Sequence, residues 1–161
     1  MKMELDGKSF YEEGADSTDN PQIKKIFKTL ADEEHRHFNI FKKMKAGETA
    51  EAADLAPRGQ TVLTVKNVFQ EMVDAGKTSL AGDTSKDLWK EAIEVERKSE
   101  KLYRDAAVEE TDAKRKEMLN LIADEEKTHI YMIDNMIAFL TDPAAFLASQ
   151  NYRNFMSWEG R

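Results

Sequence analysis

Leu30-Ala-Asp-Glu-Glu-His-Arg-His37 and, 92 residues later, Ile122-Ala-Asp-Glu-Glu-Lys-Thr-His129 decide how this 161-residue chain is read. Each puts a glutamate three residues before a histidine. Glu34 and His37, and likewise Glu126 and His129, therefore share one helix face about a turn apart. Both pairs interrupt an apolar run spaced alternately three and four residues apart. The first run is Phe27, Leu30, Phe41 and Met44; the second is Leu119, Ile122, Ile133, Met136 and Leu140. That spacing marks the buried seam of a helix in a bundle, so charged side chains stand where a core belongs.

Outward from these stretches the offset of 92 continues without a gap: Glu4 matches Glu96, Tyr11 matches Tyr103 and Ala15 matches Ala107. An internal repeat fixes architecture before any other feature, and this one implies two copies of an antiparallel helix hairpin. Hairpin 1 covers about 1–45. Its first helix, to about Ala15, carries Met3, Gly7, Phe10, Tyr11 and Gly14 on one side. It opens already on that stripe, which points to a natural helix extending upstream. After a break at Ser17-Thr-Asp-Asn-Pro21, with Asn20 suited to the N-cap and Pro21 to the first helical position, a second helix runs to about Lys45.

Residues 46–85 form a crossover. A bare loop of that length is unusual, and Val65, Val68, Phe69, Met72 and Val73 predict one short helix within it, before turn-forming residues at 81–85. Hairpin 2 covers about 86–141. Its first helix, to about Glu109, has Trp89, Ala92, Glu96, Ser99, Tyr103 and Ala106 on the seam, and Thr111-Asp112 caps a long helix to Leu140. Asp142-Pro143 opens the tail, 142–161, with a short helix through Phe146 and Leu147. Tyr152, Phe155 and Trp158 are expected to pack on the bundle or on a second subunit. Short link, long crossover, short link predicts an all-α four-helix bundle in a single domain over 1–161.

Composition narrows the function. Cysteine is absent, which excludes disulfides, thiolate metal sites and thiol catalysis. A net charge of −7 without a basic stripe argues against nucleic acid. No basic segment followed by an apolar run opens the sequence, and no apolar stretch is long enough for a membrane span, so a soluble, cytoplasmic protein is expected.

The seam glutamates need an explanation. Burying one ionised group costs several kcal/mol, and four clustered carboxylates repel one another besides. Two divalent cations, carrying +4, would balance Glu4, Glu34, Glu96 and Glu126. Carboxylate oxygen with the imidazoles of His37 and His129 suits iron or manganese, and also accepts zinc. Gly7 and Ser99, small residues on the seam, leave space beside such ions. The rest of the pattern reads as ordinary surface or packing. His35 falls off the seam; Asp32, Glu33, Asp124 and Glu125 read as solvated flanks with a supporting role open to them; the methionines read as core filler.

One glutamate from each of two helices with Glu-x-x-His from each of the other two resembles the ferritin-like di-iron carboxylate proteins. The particular strings resemble the rubrerythrin family: Glu4-x-x-Gly7-x-x-Phe10-Tyr11, Leu30 to His37, Ala92-Ile-Glu-Val-Glu96 with Tyr103, and Ile122 to His129. The resemblance implies that Glu34 and Glu126 bridge two iron ions. Glu4 with His37, and Glu96 with His129, would be terminal ligands, and Tyr11 and Tyr103 would hydrogen-bond ligating carboxylates. It further implies an oxidoreductase that reduces peroxide or dioxygen. Rubrerythrins proper add a rubredoxin-type iron held by four cysteines; this chain has none, so electrons would come from a separate protein such as rubredoxin. They also carry an extra glutamate where this chain has Ser99, with Glu100 one turn from Glu96. A homodimer is the expected assembly. The alternatives are a ferritin-type ferroxidase for iron storage and a non-catalytic helical module that retains the fold.

Overall fold

The N-terminal hairpin forms where the sequence supplies both its stop and its restart. The computed structural model, which describes residues 1–57, 59–76 and 85–158, places helix α1 at Lys2–Ser17 and α2 at Pro21–Lys45. Thr18 is extended, and the Asn20 side chain accepts from the backbone N–H groups of Gln22 and Ile23 at 2.9 and 3.1 Å. Those two donors would otherwise be orphans of the first turn. The C-terminal hairpin pairs α4 (Ser85–Glu109) with α5 (Ala113–Thr141), and here Asp112 caps α5 by accepting from Arg115 N–H at 2.9 Å. Among the described residues there is no strand, and no helix is long and apolar enough to cross a membrane.

Among its described residues the crossover holds a 3-10 turn (Ala52–Asp54) and α3 (Gln60–Asp74). At fifteen residues α3 is longer than the short helix expected. It begins at Gly59, whose φ of 79° is a left-handed conformation that suits glycine. Its apolar face, Val62, Val65, Val68, Phe69 and Met72, is buried against α2 and α5. The turn expected at 81–85 lies, except for Ser85, outside the described residues.

Beyond α5 the tail forms two short helices rather than one, α6 (Pro143–Ala148) and α7 (Gln150–Ser157). Phe155 is buried with its ring 5.5 Å from Phe69 and 5.7 Å from Tyr131, and Trp158 lies edge-on to Tyr131. The tail aromatics therefore close over their own bundle.

Sequence seams and buried faces agree in the middle of each helix and part by one residue near the ends. Ile40, Ala107 and Phe139 are buried where Phe41, Ala106 and Leu140, each half-buried, were expected. Ile40 and Phe139 fall one residue before the expected position and Ala107 one after it, so the shift is set by what each helix end packs against and not by a uniform drift in phase.

Among the described residues, two apolar clusters fill the interior. One, built on Phe27, Leu30, Trp89, Met132, Met136 and Phe139, continues onto α3, α6 and α7. The other is built on Ile40, Tyr103, Met118, Leu119 and Ile122. On α2, α4 and α5 the buried residues separating one cluster from the other are the glutamates and histidines of the repeat, joined on α4 by Ser99.

Packing is tight where α1 meets the first cluster. A Cβ on Gly14 would come within 2.7 Å of the Phe27 ring, which stacks on Trp89 at 3.9 Å with an interplanar angle of 5°. Neither ring has room to retreat, since both are fully buried. Gly14→Ala is therefore expected to destabilise the fold by about 1–3 kcal/mol despite the better helix propensity of alanine. Thermal unfolding of the metal-free proteins checks this, and an unchanged midpoint would contradict it.

Candidate metal centre

Glu34 and His37 project inward because α2 turns the face that carries Phe27 and Leu30 toward the core; Glu126 and His129 do so on α5, beside Ile122 and Ile133. Glu4 on α1 and Glu96 on α4 complete the layer, and all six side chains are buried. Ligand atoms of Glu34, Glu96, Glu126 and His129 lie within 4.8 Å of one another. His37 joins through Glu126, its Nδ1 being 3.3 Å from Oε1 of that carboxylate. His129 Nδ1 faces the other oxygen, Oε2, at 3.4 Å and Glu96 Oε2 at 3.3 Å. The two imidazoles stand nearly parallel, 6.3 Å between centroids, with Glu126 reaching a different oxygen toward each. Glu4 falls outside the four-residue group and is tied to the layer by the Tyr103 hydroxyl.

The hairpins exchange their supports. Tyr11 donates to Glu96, and Tyr103 to Glu4, so each phenol serves the glutamate of the opposite hairpin rather than its own. The repeat converts either contact into the other, which places a pseudo-two-fold axis through the layer. Burial, then the Glu96 charge for Tyr11 and the Glu126 charge for Tyr103, push both phenols above the usual tyrosine range, so they remain donors.

The flanking acids divide. Asp32 and Asp124 are exposed, and Asp124 pairs with Arg104. Glu33 and Glu125 are not solvated flanks. The Glu33 carboxylate meets His129 Nε2, and Glu125 Oε2 lies 2.7 Å from His37 Nε2, again across the hairpins. A position one residue before the seam is rotated toward the neighbouring helix, and antiparallel α2 and α5 bring it level with the other histidine. The repeat alone does not mark them, since Asp32 and Asp124 repeat as Glu33 and Glu125 do and are exposed. Glu100 stays out of the layer, 3.7 Å from Arg104, and Ser99 is buried with its hydroxyl 3.1 Å from Met3 Sδ.

Charge in the layer is arranged around Glu126. Burial alone would raise its carboxyl, but contacts with Glu96, His129 and His37 hold it well below the usual range. Burial, then the charges of Glu126 and Glu96, push Glu34 well above that range; burial and Glu126 push Glu96 up to about 8, with His129 pulling the other way. Burial disfavours the imidazolium of His37, yet Glu125, Glu126 and Glu34 outweigh it. At His129, Glu96, Glu126 and Glu33 outweigh burial likewise, and both histidines titrate well above their ordinary value.

A family model for rubrerythrin matches residues 1–137. The chain belongs to the rubrerythrin family. The match takes in both hairpins and the crossover and ends within α5, short of the two tail helices. No curated protein and no solved structure gives a match. Membership in the rubrerythrin family implies iron at a carboxylate site, and the residues present fit it. The donors are carboxylate oxygen and imidazole nitrogen, the set that iron accepts. Both Glu126 oxygens and His37 Nδ1 are buried without a hydrogen-bond partner, the condition in which a buried polar atom calls for a counterion. Gly7 permits the approach of α1 to this layer, since a Cβ there would be 3.2 Å from Glu34 Oε2. With no cysteine the chain itself has no four-cysteine iron site of the rubredoxin type.

Proposed function

We propose that this chain is a di-iron oxidoreductase that reduces peroxide or dioxygen with electrons from a separate donor protein. The observation that carries the reading is Glu126, buried between two histidines and offering one oxygen to each. This supports Glu126 and its repeat mate Glu34 as bridging ligands, with Glu4 and His37 on one ion and Glu96 and His129 on the other. Held by these residues, two ferrous ions would supply the two electrons that, with two protons, reduce hydrogen peroxide to two waters.

The protein's part is to hold and to exclude. Tyr11 and Tyr103 fix Glu96 and Glu4 by hydrogen bonds, so those carboxylates meet the ions in one orientation. The apolar clusters on either side keep bulk water from the layer. Glu96, pushed up to about 8, and Glu34, raised in the same sense, must give up any proton they carry to ligate a cation, so proton release is the measurable companion of metal uptake.

The test is metal content and then reaction. Protein purified without chelator and loaded anaerobically with ferrous iron should bind two equivalents per chain. Hydrogen peroxide should then oxidise two irons per peroxide consumed, and a reductant should restore the ferrous state for further turnover. Two bound irons with no turnover would remove the enzyme and leave the centre. No bound iron, manganese or zinc would remove both and favour a non-catalytic module.

A further inference from the structure

Neither Glu33 nor Glu125 belongs to the six-residue set, yet each reaches the Nε2 atom of a histidine on the other hairpin. We propose that Glu33 and Glu125 are positioning residues that brace His129 and His37 across the hairpin interface, fixing Nδ1 of each ring toward the metal centre, with the Glu33 brace the stronger. The inference rests on reading the six-residue layer as a metal centre. It does not depend on which divalent ion is bound or on any activity.

The chemistry is that of a neutral imidazole, which carries one N–H and one lone pair. An ionised carboxylate only accepts, so a carboxylate at Nε2 keeps the proton there and leaves the lone pair on Nδ1. In both rings Nδ1 is the atom that faces the layer, 3.3 Å from Glu126 for His37 and 3.3 Å from Glu96 for His129. Turning a ring over would bring carbon to the ligating position and break the brace, so the contact selects ring orientation as well as tautomer. Because each brace comes from the opposite hairpin, a histidine is held in ligating pose only when the hairpins are docked. The two braces differ in shielding: Glu33 is 4% exposed and Glu125 21%. A hydrogen bond shielded from water is the stronger electrostatically.

Zinc is the probe, because it is diamagnetic and accepts the same donors. The full chain, with 15N-labelled histidine, is loaded with zinc; ring N–H exchange is followed by NMR and affinity by competition with a chromophoric chelator. Wild type should show His37 and His129 with protonated Nε2 and slow exchange. Glu33→Ala should weaken zinc binding roughly 10- to 100-fold and expose the His129 N–H to rapid exchange. Glu125→Ala should do the same to His37 with a smaller loss. Glu33→Gln, which still accepts a hydrogen bond, should recover most of the affinity. Two zinc ions bound by Glu33→Ala at wild-type affinity, or equal losses in the Ala and Gln variants with N–H exchange unaltered, would overturn the proposal. Should Glu33→Ala not fold, Glu125→Ala on the more open side decides by the same readouts. A wild type that binds no zinc, manganese or iron sinks the metal-centre reading instead.

Discussion

Under the proposed two-ion centre, Glu126→Ala should lose both metal ions at once, whereas Glu96→Ala should lose one. The difference follows from where each carboxylate stands. Glu126 presents Oε1 to His37 and Oε2 to His129, so its removal strips a ligand from both positions; Glu96 contacts only His129 among the histidines. The metal-free Glu126→Ala protein should also be less stable by about 3–5 kcal/mol, the usual consequence of removing one partner from a buried ion pair. His37 and His129 would be left without the anion between them. Plasma emission analysis of metal per chain separates the variants. Glu126→Ala retaining two equivalents, or Glu96→Ala retaining none, would contradict this arrangement of ligands.

Stability of the metal-free protein should fall as pH rises from about 5 to about 9, opposite to what salt-bridged carboxylates usually confer. Glu96, pushed up to about 8, and Glu34, raised in the same sense, bind protons in the folded state that the unfolded chain has already released. More protons on the folded state means that unfolding becomes easier as protons are withdrawn. His37 and His129 act alike. Their raised folded values give stabilisation that is complete below about pH 6.5 and is lost as pH climbs through the folded value. Glu126 runs the other way, but its contribution is lost only as pH falls below the ordinary carboxylate range, outside this window. All four groups therefore act with one sign across this window. For a chain this long each kcal/mol moves the midpoint by roughly 2–4 °C. Ligation replaces those protons with cations, so the loaded protein should show no such decline. Thermal scans of chelator-treated and metal-loaded protein across this range decide it; a midpoint for the metal-free form that is flat or rises with pH would be the contrary result.

The sequence carried the fold largely because the repeat is gapless. Glu34, His37, Glu126 and His129 are legible by spacing, and Asn20-Pro21 and Asp112 mark helix starts where the structure has them. What the sequence did not display was anything set by the fit of one helix against another. Glu33 and Glu125 look like surface on a helical wheel because a wheel has no neighbour; only the level at which α2 and α5 cross brings them to an imidazole. The choice of Ile40 over Phe41 depends on the same relative placement. So does the absence of Glu4 from the four-residue group: one of its oxygens accepts from Tyr103 on α4 and the other pairs with the Met1 amino group. The length of α3 and the second tail helix went unread because neither repeats, and a segment without a copy offers no internal check.

The traded phenols and carboxylates have a consequence for the chain as a whole. Either half alone would own a glutamate without its tyrosine and a histidine without its acid, every group present and none secured. Two unlinked copies of one half, clasped face to face, would supply the missing partners reciprocally. Residues 46–85 thus act as a tether that makes a mutual arrangement permanent within a single polypeptide.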